Sequence, residues 1–163
     1  MFHQSRIRNG LYGIMVIAVI GLVFVIMAWK APESKKTSPL DGRLAVVYRS
    51  ATCGCCANYI SYLRRQGVKV EEKMTADMTT IKKQFNIPGP LMSCHTTEID
   101  GYVVEGHVPV EAIEKLVAEK PTVAGIGMGG MPSGSPGMPG AKTAPFEIES
   151  FTADGSTMLF VSL

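Results

Sequence analysis

Net charge, cysteine and histidine are all scarce in this sequence. Its 163 residues carry 16 basic and 14 acidic side chains, a formal charge of +2. That near-balance gives no support to a nucleic-acid surface and leaves no acidic disordered tail. There is no internal repeat, and no motif for a nucleotide, a phosphate or an organic cofactor. Only four cysteines and three histidines are present. Chemistry that depends on thiols or imidazoles must therefore be concentrated where these few residues fall.

Charge is missing altogether from Leu11 to Trp29. At 1.5 Å per residue a helix of that length spans about 28 Å, close to the hydrocarbon thickness of a bilayer. A cleaved signal peptide has a shorter apolar region and ends in a small-x-small site. Met27-Ala28-Trp29-Lys30 offers no such site. The run therefore reads as a retained transmembrane anchor, 11–29, behind a short flank, 1–10, with Trp29 at the interface. Arg6 and Arg8 lie on one side, and Lys30, Lys35 and Lys36 on the other, so basic residues do not decide its orientation. A polar, proline-containing tether, 30–40, follows.

Beyond the tether the pattern alternates. Leu44–Tyr48 is a short apolar run suited to a strand buried on both faces. Ala57–Gln66 reads as a helix, with Cys56, Ile60 and Leu63 on one side and Gly67 as the stop. Val68–Glu71 is a second strand, and Met78–Phe85 a second helix capped by Asp77. Asp100-Gly101 marks a two-residue hairpin turn between Met92–Ile99 and Tyr102–His107. That turn sets the register so that Thr97 opposes Val104 and Cys94 opposes His107. By alternation His95 points to the other face. Pro109 and Glu111 open a third helix that Pro121 ends. The Gly/Pro/Ser-rich stretch 123–140 carries Met128, Met131 and Met138 and is expected to hold no regular element. Phe146–Phe151 and Thr157–Leu163, around Asp154-Gly155, read as a terminal hairpin.

The predicted order, β-α-β-α-β-β-α, with Cys53-Gly54-Cys55-Cys56 at the start of the first helix, is that of a thioredoxin-like α/β domain (41–120). The loop and hairpin, 121–163, form its C-terminal extension. A helix N-terminus favours a thiolate through its free N–H groups and dipole, which assists nucleophilic attack and metal capture alike. Pro88 or Pro90 is expected to supply the proline that this fold holds in cis beside the cysteines. Purely structural disulfides fit poorly, because a bridge between such near neighbours closes little chain. Thiolate plus imidazole suits copper or zinc. Three thiols in one turn, with methionine thioethers in the chain, favour copper over zinc. The metal candidates are Cys53, Cys55, Cys56, Cys94, His107, His95, Met131 and Met138. For His95 and the methionines, ordinary packing is an equal alternative.

At these residues the chain resembles a family of small thioredoxin-like bacterial metal-binding proteins, long catalogued as a domain of unknown function, that includes the copper-resistance protein CopG. The resemblance rests on Cys53-Gly54-Cys55-Cys56, Ser93-Cys94-His95-Thr96, the run Gly101–Pro109 and the run Gly130–Met138. It implies copper binding through the cysteines, with the domain in the periplasm and the anchor 11–29 in the bacterial inner membrane. Other periplasmic copper-handling proteins are its expected partners, and nucleic acid is not. Sequestration of copper, with cycling between Cu(I) and Cu(II), is the first functional reading. The alternative is a thiol–disulfide oxidoreductase in which Cys53 attacks and Cys56 resolves; the third adjacent thiol, Cys55, argues against it. A structural zinc module docked to a membrane partner is a further reading.

Overall fold

The computed structural model describes residues 38–163 and, in the separate N-terminal unit Met1–Lys36, only Val19 and Ile20. The expected anchor 11–29 thus lies outside the described residues, apart from those two helical positions. Among the described residues no helix is long and apolar enough to cross a membrane.

The main unit is a mixed α/β domain. Strand β1 (Leu44–Arg49) is followed by helix α1 (Gly54–Arg65), β2 (Lys69–Met74) and α2 (Met78–Gln84). A single 3-10 turn, Gly89–Leu91, leads to the hairpin β3 (His95–Ile99) and β4 (Tyr102–Glu105), and then to α3 (Val110–Glu119). Three strands close the chain: β5 (Gly125–Gly127), β6 (Glu147–Phe151) and β7 (Thr157–Ser162). They form one seven-stranded sheet in the order β2-β1-β3-β4-β5-β6-β7. Pairing is parallel at β1–β2 and β4–β5 and antiparallel elsewhere.

Local signals account for most of these limits. Asp77 accepts from the Thr80 amide at 3.1 Å and caps α2, and Asn86, at φ 51°, turns the chain out of it. Asp100 and Gly101 both take positive φ, as a two-residue hairpin turn requires. The expected register follows, with Thr97 opposite Val104 and Ile99 opposite Tyr102. Alternation then sorts the two faces of the sheet. Ala45, Val47, Ile99 and Val104 face α1 and α3, packing with Tyr59, Ile60, Leu63, Ile113 and Leu116. Each such aliphatic side chain contributes roughly 1.5–3 kcal/mol on burial. The opposite face gathers Val103, Phe151, Ile87 and Leu91 beside α2.

Four expectations are corrected. β1 is fully buried on one face only, that of Ala45, Val47 and Arg49; on the other, Val46 and Tyr48 are half-buried and Leu44, at the strand's start, is 55% exposed. Helix α1 begins three residues earlier than expected, at Gly54, because Cys53 serves as its N-cap. The stretch 123–140 does contain a strand, β5. Its first residue lies so close to β4 that a Cβ on Gly125 would sit 2.1 Å from the Val103 carbonyl oxygen, so glycine here permits pairing rather than preventing it. The terminal hairpin therefore continues the main sheet through β5. Finally, neither Pro88 nor Pro90 is cis, all described peptide bonds being trans. Both serve the 3-10 turn Gly89–Leu91, where a missing N–H costs nothing.

Candidate metal centre

The parallel strand β1 ends at Arg49 and delivers the chain to the N-terminus of α1. Arg49 then organises the turn. Its Nη1 donates to the carbonyls of Ser50 (2.8 Å), Ala51 (3.3 Å) and Cys53 (3.4 Å), while its Nε donates to Glu72 Oε1 at 2.5 Å. Cys53 caps the helix, its Sγ accepting from the Cys56 amide at 3.3 Å. Cys53 and Cys56 are joined as a disulfide; Cys55 and Cys94 are free thiols.

The hairpin brings the other half. Cys94 Sγ stands 3.7 Å from Cys55 Sγ, which is itself 3.5 Å from Cys53 Sγ. On its other side Cys94 Sγ lies 3.1 Å from His107 Nε2 and 3.4 Å from His95 Nδ1. The four sulfurs lie within 4.8 Å of one another, and so does the trio Cys94, His95 and His107. Cys94 belongs to both sets.

The expected meeting of Cys94 and His107 is thus present, but simple alternation does not produce it. β4 stops at Glu105, and Gly106 takes φ 81°, which turns His107 away from the Glu105 face. A Cβ at Gly106 would meet the Ser93 side chain at 2.7 Å and the Met128 carbonyl at 2.8 Å, so no other residue fits that turn. His95, expected on the opposite face, consequently shares a side with His107. Their ring centroids are 4.7 Å apart, and both pack on Tyr59, at 4.5 Å and 5.6 Å respectively.

The imidazoles are prepared as ligands. The Pro136 carbonyl lies 2.7 Å from His107 Nδ1 and can only accept, so Nδ1 carries the proton and Nε2 presents its lone pair toward Cys94. Burial lowers the pKa of His107, with that carbonyl bond opposing. Burial holds His95 at about 3, reinforced by His107 and Lys82. Its Nδ1 faces Cys94, while its Nε2 is buried without a hydrogen-bond partner, so packing rather than a bond holds the ring on that side. Burial also pushes the Cys94 thiol up to about 12, and the neighbouring Cys55 adds to the rise. Metal capture at Cys94 must therefore displace a proton.

The donors are sulfur and neutral imidazole nitrogen, with no carboxylate among the two close sets. Such a set fits a soft or borderline cation and not calcium or magnesium. In the disulfide form only Cys55 and Cys94 retain thiols, so the complete four-sulfur set requires reduction.

The methionine-bearing loop reaches over this region. Besides the Pro136 bond, Asn58 Nδ2 donates to the Gly137 carbonyl at 3.4 Å. Met138 is partly buried and Met131 is 52% exposed, both on this loop. Met128 instead packs in the hydrophobic core.

Sequence reading missed Arg49, Tyr59, Lys82 and Glu105. Tyr59 is fully buried, donates to the Val108 carbonyl at 2.8 Å and floors both histidines. Glu105 is fully buried and accepts from Lys82 Nζ, the Ser93 amide (2.7 Å) and Thr96 Oγ1 (2.6 Å). The one available signal was an acidic residue at a strand position whose neighbours Val103 and Val104 are both apolar.

Comparison with known proteins agrees with this picture. Residues 91–138 match the family described as "Protein of unknown function, DUF411". Among solved structures, "Copper resistance protein copG- Form 2" is similar with a TM-score of 0.70 and 37% identity, over 76% of this chain and 99% of that one. "Copper resistance protein copG- Form 1" gives a TM-score of 0.69 and 37% identity, over 76% and 98%. No curated protein matches.

Proposed function

The chain belongs to the DUF411 family alongside the copper-resistance protein CopG, and on that premise we propose that it binds copper as cargo in copper resistance. Cys53, Cys55, Cys56 and Cys94 would supply thiolates, and His95 and His107 imidazole nitrogens. Met131 and Met138 remain candidate outer donors from the covering loop. The observation that carries this reading is the convergence on Cys94: four sulfurs within 4.8 Å of one another, and two neutral imidazoles at 3.1 Å and 3.4 Å from the shared one. Zinc fits thiolate and imidazole too, but this sulfur-rich set suits Cu(I) better.

We further place the domain in the periplasm, held to the inner membrane by residues 11–29. Support comes from the uncharged apolar run and from a disulfide, a bond that persists in oxidising compartments. The domain reads as thioredoxin-like, supported by the order β-α-β-α-β-β-α and by a bridged Cys-x-x-Cys at the first helix N-terminus. That scaffold accommodates redox cycling. Two thiolates would give up one electron each as the Cys53–Cys56 bond forms, while two Cu(II) ions each take one and become Cu(I).

The test is copper content after desalting, on protein made in copper-replete cells. The wild type should retain copper and Cys53→Ser/Cys56→Ser should lose it. Equal copper in the two would end this reading, and retention of zinc alone would reassign the metal. A second reading, thiol–disulfide exchange on protein substrates, is favoured specifically by that disulfide. Under it, Cys55→Ala would leave turnover of a disulfide substrate intact, whereas a copper site would be weakened by the same change.

A further inference from the structure

The buried face opposite the histidines holds a carboxylate, Glu105, with two of its three partners on the metal-binding arm. Glu105 Oε1 accepts from the Ser93 amide at 2.7 Å, and its Oε2 accepts from Thr96 Oγ1 at 2.6 Å. Those two donors flank the dipeptide Cys94-His95 on either side. Glu105 also leads, through Gly106, into His107, and the Gly106 amide donates to the His95 carbonyl at 3.1 Å. One side chain thus grips the segment bearing two donors and stands two residues from the third. Lys82 Nζ, from α2, completes the carboxylate's shell and is the only buried residue of that helix.

Fold stability alone does not explain this arrangement. A buried ion pair is often no more stabilising than apolar residues of the same volume. Partners beyond the ligands of a metal site, by contrast, fix ligand orientation and are worth about 10–100-fold in affinity. We propose that Glu105 is the positioning residue of the Cys94–His95–His107 arm, holding both sides of Cys94-His95 so that its thiol and imidazole meet His107 before metal arrives. Lys82, from α2, pairs with the same carboxylate oxygen that accepts from the Ser93 amide and so balances its charge. This inference rests on the copper reading above for its metal, and on the geometry alone for the positioning.

The experiment compares two double variants of the full chain. Lys82→Met/Glu105→Gln removes both charges and keeps an amide able to bond Ser93 and Thr96. Lys82→Met/Glu105→Leu removes the charges and the grip. Three quantities are read: Cu(I) affinity by competition with a chelator in reduced protein, the visible absorption of bound Co(II), and the alkylation rate of Cys94 relative to Cys55 in metal-free oxidised protein. The Leu variant should bind Cu(I) about 10–100-fold more weakly and show displaced Co(II) bands. Its Cys94-to-Cys55 alkylation ratio should rise at least about fivefold through local opening. The Gln variant should stay within about threefold of wild type on every measure.

A Leu variant with wild-type affinity, bands and alkylation ratio would overturn the proposal, leaving Glu105 a space-filler. Equal losses in both variants would overturn it too, because charge rather than grip would then be responsible. Should the Leu variant fail to fold, Thr96→Val removes one of the two grips. It should weaken Cu(I) binding by about threefold and raise the alkylation ratio, and no change in either counts against the proposal. A wild type that binds neither Cu(I) nor Co(II) defeats the copper reading, and the alkylation ratio alone then decides the role of Glu105.

Discussion

The two halves of the metal centre are built on different principles. The cysteine turn, 50–56, is local: three cysteines within four residues, a helix N-terminus, and one arginine binding the carbonyls of Ser50, Ala51 and Cys53. The hairpin mouth is assembled from distant parts: Cys94 and His95 from one strand's approach, His107 from beyond the other, Glu105 beneath and Pro136 above. One half can change state in place, since its outer cysteines are bridged. The other offers neutral nitrogen donors held by buried contacts. A soft-metal site that combines them has a redox-sensitive side and a preset side, and Cys94 is the hinge between the two.

That contrast can be broken most severely at Cys94. Cys94→Ser removes the sulfur common to both donor sets and should lower Cu(I) affinity by more than about 100-fold, exceeding what loss of a supporting partner costs. Chelator competition measures it; a loss no greater than that of Cys55→Ser would show that the halves do not share Cys94.

Acid should strike the hairpin half next. His95 is held at about 3 in the folded protein against 6.5 ordinarily. A base whose folded pKa is depressed leaves the unfolded chain binding more protons, so the neutral, folded form is favoured above pH 6.5. Its contribution is lost at about 1.4 kcal/mol per pH unit as pH falls toward about 3. Denaturant midpoints of metal-free protein between pH 7 and pH 4 should fall accordingly, and His95→Phe should flatten the profile.

Arg49→Gln attacks the cysteine half instead. Breaking its buried pair with Glu72, which keeps some solvent access, should destabilise the fold by about 2–3 kcal/mol. It should leave Co(II) bands from the Cys94–His95–His107 trio in place, and their displacement would show that the halves are mechanically coupled. The smallest effect belongs to Tyr59→Phe, which removes one hydrogen bond to the Val108 carbonyl, worth about 1 kcal/mol in a thermal or urea melt, and keeps the aromatic floor under both histidines.

The donor residues themselves were legible in the sequence to an unusual degree, for a physical reason. Thiol and imidazole are rare here, so Cys53, Cys55, Cys56 and Cys94 had few competitors, and the Asp100-Gly101 turn aligned the hairpin so that Cys94 and His107 both lie just beyond its paired residues, at the same end. His95 was misplaced because alternation assumes an uninterrupted strand, and Gly106 interrupts it. Lys82 gave no signal, and Glu105 gave only its apolar neighbours Val103 and Val104, because nothing in the neighbourhood of a charged residue tells which distant segment will cover it.

By itself, then, the sequence determined the order of strands and helices apart from β5, the cap at Asp77, the hairpin register and the inventory of soft donors. All of these depend on contacts within a few residues along the chain. The tertiary structure alone decided that β5 would carry the terminal hairpin into the main sheet, that both histidines would share one side, and that Glu105 would grip Cys94-His95 from the other. Each of those depends on burial against partners at least nine residues away, and burial is a property of the packed molecule.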